Sequence, residues 1–236
     1  MGKIELKFKG RLPMDTSYQE VIKRLIEERK NYGLSQKEMA TIVHITQSNY
    51  SKVEKRLYRL SFEQLKYLSK SKLDIFYIFT GRRGNRKYIH YFEELEYNKL
   101  CYFLVFLNLV MLLRDVKKEA EYKITTDSLY HMVWALSSIG NRNLFVEIRH
   151  RMDIQQIAMA ERIGVDIKKY RDLEKNRCLP DSEIISKLYT IFNVSPSFVL
   201  NCKEIVLSEI CCLLEGLEEQ EIEVESIIKE MREIAL

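Results

Sequence analysis

Apolar residues recur at helical spacing along most of this chain, and short polar residues stand where helices would start. Val21, Leu25 and Ile26 make one stripe, which runs out at Asn31-Tyr32-Gly33. Ser35 with Glu38 three residues later is a capping box, and it predicts a short helix through Val43. Thr46 is an N-cap for a helix over Gln47 to Lys55. Ser61 predicts a fourth helix to about Ser71, Asp74 a fifth through Phe79, and Gly81 a stop. Further along, helices are predicted near Leu144–Met152, Gln155–Ile163, Ile167–Lys175, Asp181–Phe192 and Ser195–Leu200. Gly164 supplies a turn there and Asp166 an N-cap. Pro180-Asp181 and Ser195-Pro196 are helix starts with proline near the first turn.

The two sets of helices are related by a shift of 120 residues. Gln36 falls on Gln156, Ala40 on Ala160, Val43 on Ile163 and Ile45 on Val165. Tyr50 falls on Tyr170, Val53 on Leu173, Glu54 on Glu174, Lys55 on Lys175 and Leu68 on Leu188. Apolar matches alone arise by chance among helices. Matched Gln, Ala, Tyr, Glu and Lys at one offset point to an internal repeat.

Composition agrees with helices. Only 8 Gly and 3 Pro punctuate 236 residues, too few for a strand-and-turn protein. Charge changes the picture through its distribution. The net charge is +11 over residues 1–91, zero over 92–201 and −7 over 202–236. A basic front end suits a polyanion, because cations that meet phosphates release condensed counterions. The acidic tail does not. Cys101, Cys178, Cys202, Cys211 and Cys212 include no CxxC pair and no histidine at metal-ligand spacing. They are expected to be buried free thiols in a reducing compartment. Residues 1–12 lack an uninterrupted apolar stretch, so no secretory leader is expected. The longest apolar run, Leu100 to Leu113, is short of the roughly 20 residues of a membrane span. The expected location is the cytoplasm.

The stretches LSQKEMATIVHITQSNYSKVEK and IQQIAMAERIGVDIKKYRDLEK resemble the helix-turn-helix core of the lambda-repressor/Cro-like (XRE-type) family. The resemblance covers about residues 18–81 and 143–201. It implies an all-α fold with two such units, linked and followed by long helices. It also implies a sequence-specific regulator of transcription, in the first place a repressor. In the first unit His44 stands where the family has Gly, and histidine tolerates positive φ better than most residues.

The resemblance places base reading on Gln47, Ser48 and Lys52. Glutamine can pair bidentately with adenine, and lysine can donate to guanine. Asn49 and Ser51 would support them. Gln36 matches a phosphate-holding position, and Lys55, Arg56 and Arg59 are placed to grip the backbone. Tyr50 and Tyr170 are expected in the core, since an aromatic body packs while its hydroxyl reaches a polar group. A second set comprises Gln156, Ile167, Lys168, Lys169 and Arg171. There Ile167 can touch a thymine methyl, and Asp172 would face phosphate unless it accepts from cytosine. Residues 143–201 hold 9 basic and 8 acidic residues. DNA contact and a fold retained for packing both stay open for this second unit.

The organisation expected is an arm (1–17), a first unit (18–81), a linker with a helical packing or dimerisation region (82–142), a second unit (143–201) and an acidic helix or helix pair (202–236). The linker RRGNRKYIHY reads as basic, and either touches the DNA backbone or is only solvated, while residues 91–118 read as one long helix. Met132, Val133, Trp134, Leu136 and Ile139 suggest another that packs on it. The charge alternation of residues 3–9 suggests a strand or an extended arm that could lie on DNA, with a disordered terminus the commoner outcome. In the tail, Leu207, Ile210, Leu214, Leu217, Val224, Ile228, Met231 and Ala235 form a coiled-coil-like seam. It serves either packing within the chain or a homodimer zipper. The partners expected are double-stranded DNA, with a homodimer mate or a protein or peptide as further candidates, and no membrane. An interaction protein, peptide-sensing or antitoxin-like, is the reading from another class. An enzyme is not expected, because the four histidines are scattered and no nucleophile-elbow, P-loop, zinc-protease or dinucleotide fingerprint occurs. No cofactor or metal is expected.

Overall fold

The computed structural model describes residues 18–113, 143–218 and 223–235. The arm, the helix around Trp134 and the end of the predicted helix 91–118 lie outside them. The described residues are helical throughout and contain no strand. The first segment holds α1 (Tyr18–Asn31), α2 (Gln36–Ile42), α3 (Gln47–Glu54), α4 (Phe62–Ser69) and α5 (Ile75–Thr80). A 3-10 turn (Arg86–Tyr91) leads to α6 (Tyr97–Leu113). Then follow α7 (Leu144–Arg151), α8 (Gln156–Ile163), α9 (Ile167–Glu174), α10 (Ser182–Phe192) and α11 (Pro196–Leu200). The C-terminal pair is α12 (Lys203–Glu218) and α13 (Val224–Ala235).

The starts follow from capping chemistry. Ser35, Thr46, Ser61 and Asp74 each accept a backbone N–H of their helix's first turn. Asp166, Asp181 and Ser195 do the same at α9, α10 and α11. Each satisfies an N–H that has no partner inside the helix. The 120-residue offset holds in the backbone as well. Gly33 and Asp153, His44 and Gly164, and Arg56 and Asn176 all have φ between 50 and 67°.

Two cores form. One joins α1–α5 with α7–α11 and includes Leu25, Met39, Tyr50, Phe76, Met159, Tyr170 and Leu188. The other joins the 3-10 turn, α6, α12 and α13 around Phe92, Phe103, Leu104, Ile210, Leu214 and Ile228. The five-helix segments meet directly: α5 packs on α10 and α11, α4 on α11, and α1 on α10. A polar contact fixes the junction. The Ser182 N–H donates to the Leu60 carbonyl at 2.9 Å. Its hydroxyl oxygen accepts from the Leu60 N–H at 3.1 Å and lies 3.0 Å from the Tyr18 hydroxyl. Arg59 pairs with Glu183 beside it.

Two expectations change, and the tail seam falls to the first of its two expected roles. The stretch 82–91 is docked, although Arg83, Asn85, Arg86, Lys87 and His90 stay exposed. Arg83 pairs with the fully buried Glu28, Lys87 with Glu218 at 2.7 Å, and the Asn85 N–H donates to Glu215 at 3.0 Å. Gly84 allows this closeness, because a Cβ there would lie 2.2 Å from the backbone nitrogen of Cys212. The long helix starts at Tyr97, not at residue 91. Tyr88, Phe92 and Leu95 keep their inward spacing of three and four, but on successive turns. The tail seam lies within the chain: Leu207, Ile210, Leu214, Leu217, Val224, Ile228 and Met231 are all buried against α6 and one another. A zipper would need those same faces. Among the described residues no helix is long and apolar enough to cross a membrane.

Candidate nucleic-acid interface

The site is built from α2, its turn and α3. The capping box holds the start of α2: the Glu38 N–H donates to the Ser35 hydroxyl oxygen at 3.2 Å, and the Ser35 N–H to Glu38 at 2.7 Å. The second bond holds the Glu38 carboxyl below the usual carboxylate range. Ala40 is buried where α2 crosses α3, and the Ile45 N–H returns to the Ala40 carbonyl at 2.9 Å. A larger side chain at that crossing would force the helices apart. His44 makes the turn with φ +55°, its ring 4.3 Å from that of Tyr67. The Thr46 hydroxyl oxygen then accepts the Asn49 N–H at 3.2 Å and starts α3.

On α3 the sides are sharply divided. Tyr50 and Val53 are 0% exposed. Gln47, Ser48 and Lys52 are exposed, with Asn49 and Ser51 half-buried at the edge. Spacing of one, four and five residues puts 47, 48, 51 and 52 on one helix face. Lys55 and Arg56 are exposed just past the helix end, and the Arg56 guanidinium donates to Gln19 at 2.8 Å. Arg59 is 56% exposed while holding Glu183. Gln36 is half-buried, and its amide donates to Glu54 at 2.7 Å.

Glu54 is the hinge of a clamp that the motif alone did not reveal. Its other oxygen accepts from Arg29 of α1 at 2.7 Å, and Arg29 also donates to the Leu34 carbonyl at 2.8 Å. Three helices are thereby tied at the base of α3. The same clamp recurs on α7, α8 and α9. Arg149 donates to Glu174 at 2.6 Å, and Gln156 donates to the other oxygen of Glu174. Burial opposes charge on Glu174, but the bonds from Arg149 and Gln156 outweigh it and hold the carboxyl below its usual value of 4.5. The signal was present, because Arg29 and Arg149 are themselves 120 residues apart.

The second face has the same division with other side chains. Tyr170 and Leu173 are buried, and the Tyr170 hydroxyl donates to the Phe145 carbonyl at 3.2 Å. Lys168 and Arg171 are exposed, while Ile167 and Lys169 are half-buried. Lys169 is paired with Asp181 at 2.9 Å, and Asp172 lies 3.8 Å from Arg177. The Arg171 guanidinium donates to the Gln156 amide oxygen at 3.3 Å. Among the described residues no cluster of His, Cys, Asp or Glu is fit to hold a metal.

A comparison with protein families matches residues 25–70 to the helix-turn-helix family. That span runs from within α1 to the end of α4 and contains the whole α2–turn–α3 unit. Neither curated proteins nor solved structures gave a match. Residues 25–70 are thus similar to a helix-turn-helix domain, which supports a DNA-binding regulator of the XRE type.

Proposed function

We propose that the chain is a sequence-specific repressor that lays α3 in the major groove of duplex DNA. Gln47, Ser48 and Lys52 would read base edges, with Asn49 and Ser51 supporting them. Gln36, Lys55, Arg56 and Arg59 would hold the backbone. One observation carries the reading: α3 is clamped on its apolar side and open on its polar side. Residues 143–201 are, on this reading, a diverged second copy that also meets DNA through Gln156, Ile167, Lys168, Lys169 and Arg171. The repeated left-handed turns, the repeated clamp and the exposed α9 face support that. One chain would then act as an internal pseudo-dimer.

Mobility shift of the full chain across salt concentrations tests the first statement. Affinity is expected to fall steeply as salt rises; a flat response counts against it. Joint replacement of Gln47, Ser48 and Lys52 by alanine should abolish sequence preference more than bulk affinity.

A sensing role is favoured by one further feature. A cavity of about 470 Å³ lies between the α4–α5 connection and α12, within the volume range of small-ligand sites. Lys72 and Arg86 line it with Asp74 and Glu204, beside Leu73, Ile75 and Leu207. Thermal shift of the full chain against short peptides and small carboxylates tests this; no stabilisation by any of them removes the support.

A further inference from the structure

The two exposed helix faces occupy equivalent places but offer different chemistry. We infer that the DNA site is asymmetric, built of two unlike half-sites, with a guanine in the second that Arg171 reads. This rests on the proposal that both units meet DNA.

In a two-fold symmetric site, both reading helices would meet the same base edges. Here no single half-site suits both. Gln47 offers an amide donor and acceptor, the pattern that fits adenine, whereas Ile167 at the same place offers only a surface for a thymine methyl. Ser51 is a short hydroxyl, whereas Arg171 is a charged fork that fits guanine O6 and N7. Lys52 and Asp172 have opposite charge, and Asp172 is drawn toward Arg177. A palindrome would therefore leave one unit mismatched. Each mismatched pair lowers affinity roughly 5- to 150-fold.

The aim of Arg171 comes from the clamp beneath it. Arg149 holds one oxygen of Glu174, Gln156 holds the other, and the Gln156 amide oxygen accepts from Arg171 Nε. With Nε tied back, the two terminal nitrogens are left as the pair of donors a guanine edge needs. In the first unit the equivalent chain ends at Gln36, because position 51 is serine. The guanidinium reader is thus a property of the second unit alone.

Selection of duplexes from a random pool by the full chain, with chains per duplex measured by native mass, tests this. The expected product holds two unlike half-sites per chain, one helical turn apart. Arg171→Ala should relax the guanine in the second half by roughly 5- to 150-fold, and Arg171→Lys by less, since lysine still donates to guanine but without the planar fork. Gln47→Ala should relax only the first half. All three substitutions are at exposed residues, and unchanged melting will confirm that the fold is kept. A palindrome bound by one chain and weakened by variants in both units would overturn the asymmetry but leave two-unit contact standing. A single half-site, or a palindrome bound by two chains, with Arg171→Ala silent, would overturn both.

Discussion

Residues 18–81 and 143–201 place helices, left-handed turns and an Arg–Glu–Gln clamp at matching positions, yet they use charge differently. The first holds 12 basic and 7 acidic residues, the second 9 and 8. In the first, Lys52 and Lys55 are exposed with no ion-pair partner among the described residues. In the second, Lys169 and Arg177 are each paired with an aspartate. The difference separates two kinds of constraint. Interior positions and the clamp fix how the reading helix sits, so they recur. The outward face carries fewer such ties, in the second unit Lys169 to Asp181, Asp172 to Arg177 and Arg171 to Gln156, and so takes other chemistry.

The clamp gives the largest test of that comparison. Glu54→Ala leaves Arg29 in a site where its side chain is 14% exposed, and removing one partner of such a pair costs about 3–5 kcal/mol. Glu174→Ala strands Arg149 at 18% and should cost a similar amount in chemical denaturation. A cost below about 1 kcal/mol at Glu174 alone would mean that the two units are not held in the same way. Next comes the strap that binds the first unit to the C-terminal helices. Gly84→Ala places a methyl against the α12 backbone, and overpacking of this kind costs about 1–3 kcal/mol. An unchanged melting midpoint would show that the strap yields freely.

The smallest effect is in acid. The Glu174 carboxyl is held below 4.5 by Arg149 and Gln156 against the opposing pull of burial. Glu183 is likewise held low by Lys187 and Arg59 against burial. A carboxyl whose value is lowered by folding adds stability above its ordinary value and loses it as pH falls through the lowered one. The stability gap between the parent and Glu174→Gln should therefore narrow as pH drops below 4.5. A gap that widens there would refute the assignment.

Local chemistry was legible in the sequence wherever it is self-contained. Ser35, Thr46, Ser61 and Asp74 announce helix starts because each cap acts within three residues. The burial of Tyr50 and Tyr170 was expected from the position that the family resemblance gives them and from the packing of an aromatic body. Long-range pairs were not legible. Nothing local at Ser182 marks it as the partner of Leu60, and nothing at Gly84 shows that α12 passes over it. The run 88–95 has helical spacing, and spacing alone does not distinguish one helix from consecutive turns. The tail seam was visible, but its partner, α6, is defined only by the fold. Within the interface, the set 47, 48 and 52 came from the family resemblance, and its exposure opposite the buried Tyr50 and Val53 agrees with that placement. The clamp needed Arg29, which lies 25 residues before Glu54 and outside the helix-turn-helix motif.

The central claim is that the polar face of α3 enters the major groove. Substitution of single atoms in the selected duplex tests it most directly. Replacing adenine and guanine by their 7-deaza analogues removes a major-groove acceptor, while replacing guanine by inosine removes only a minor-groove donor. 7-Deaza bases in the first half-site should weaken wild-type binding, inosine should not, and Gln47→Ala should abolish the 7-deaza-adenine effect. Binding indifferent to 7-deaza bases but weakened by inosine would contradict the claim.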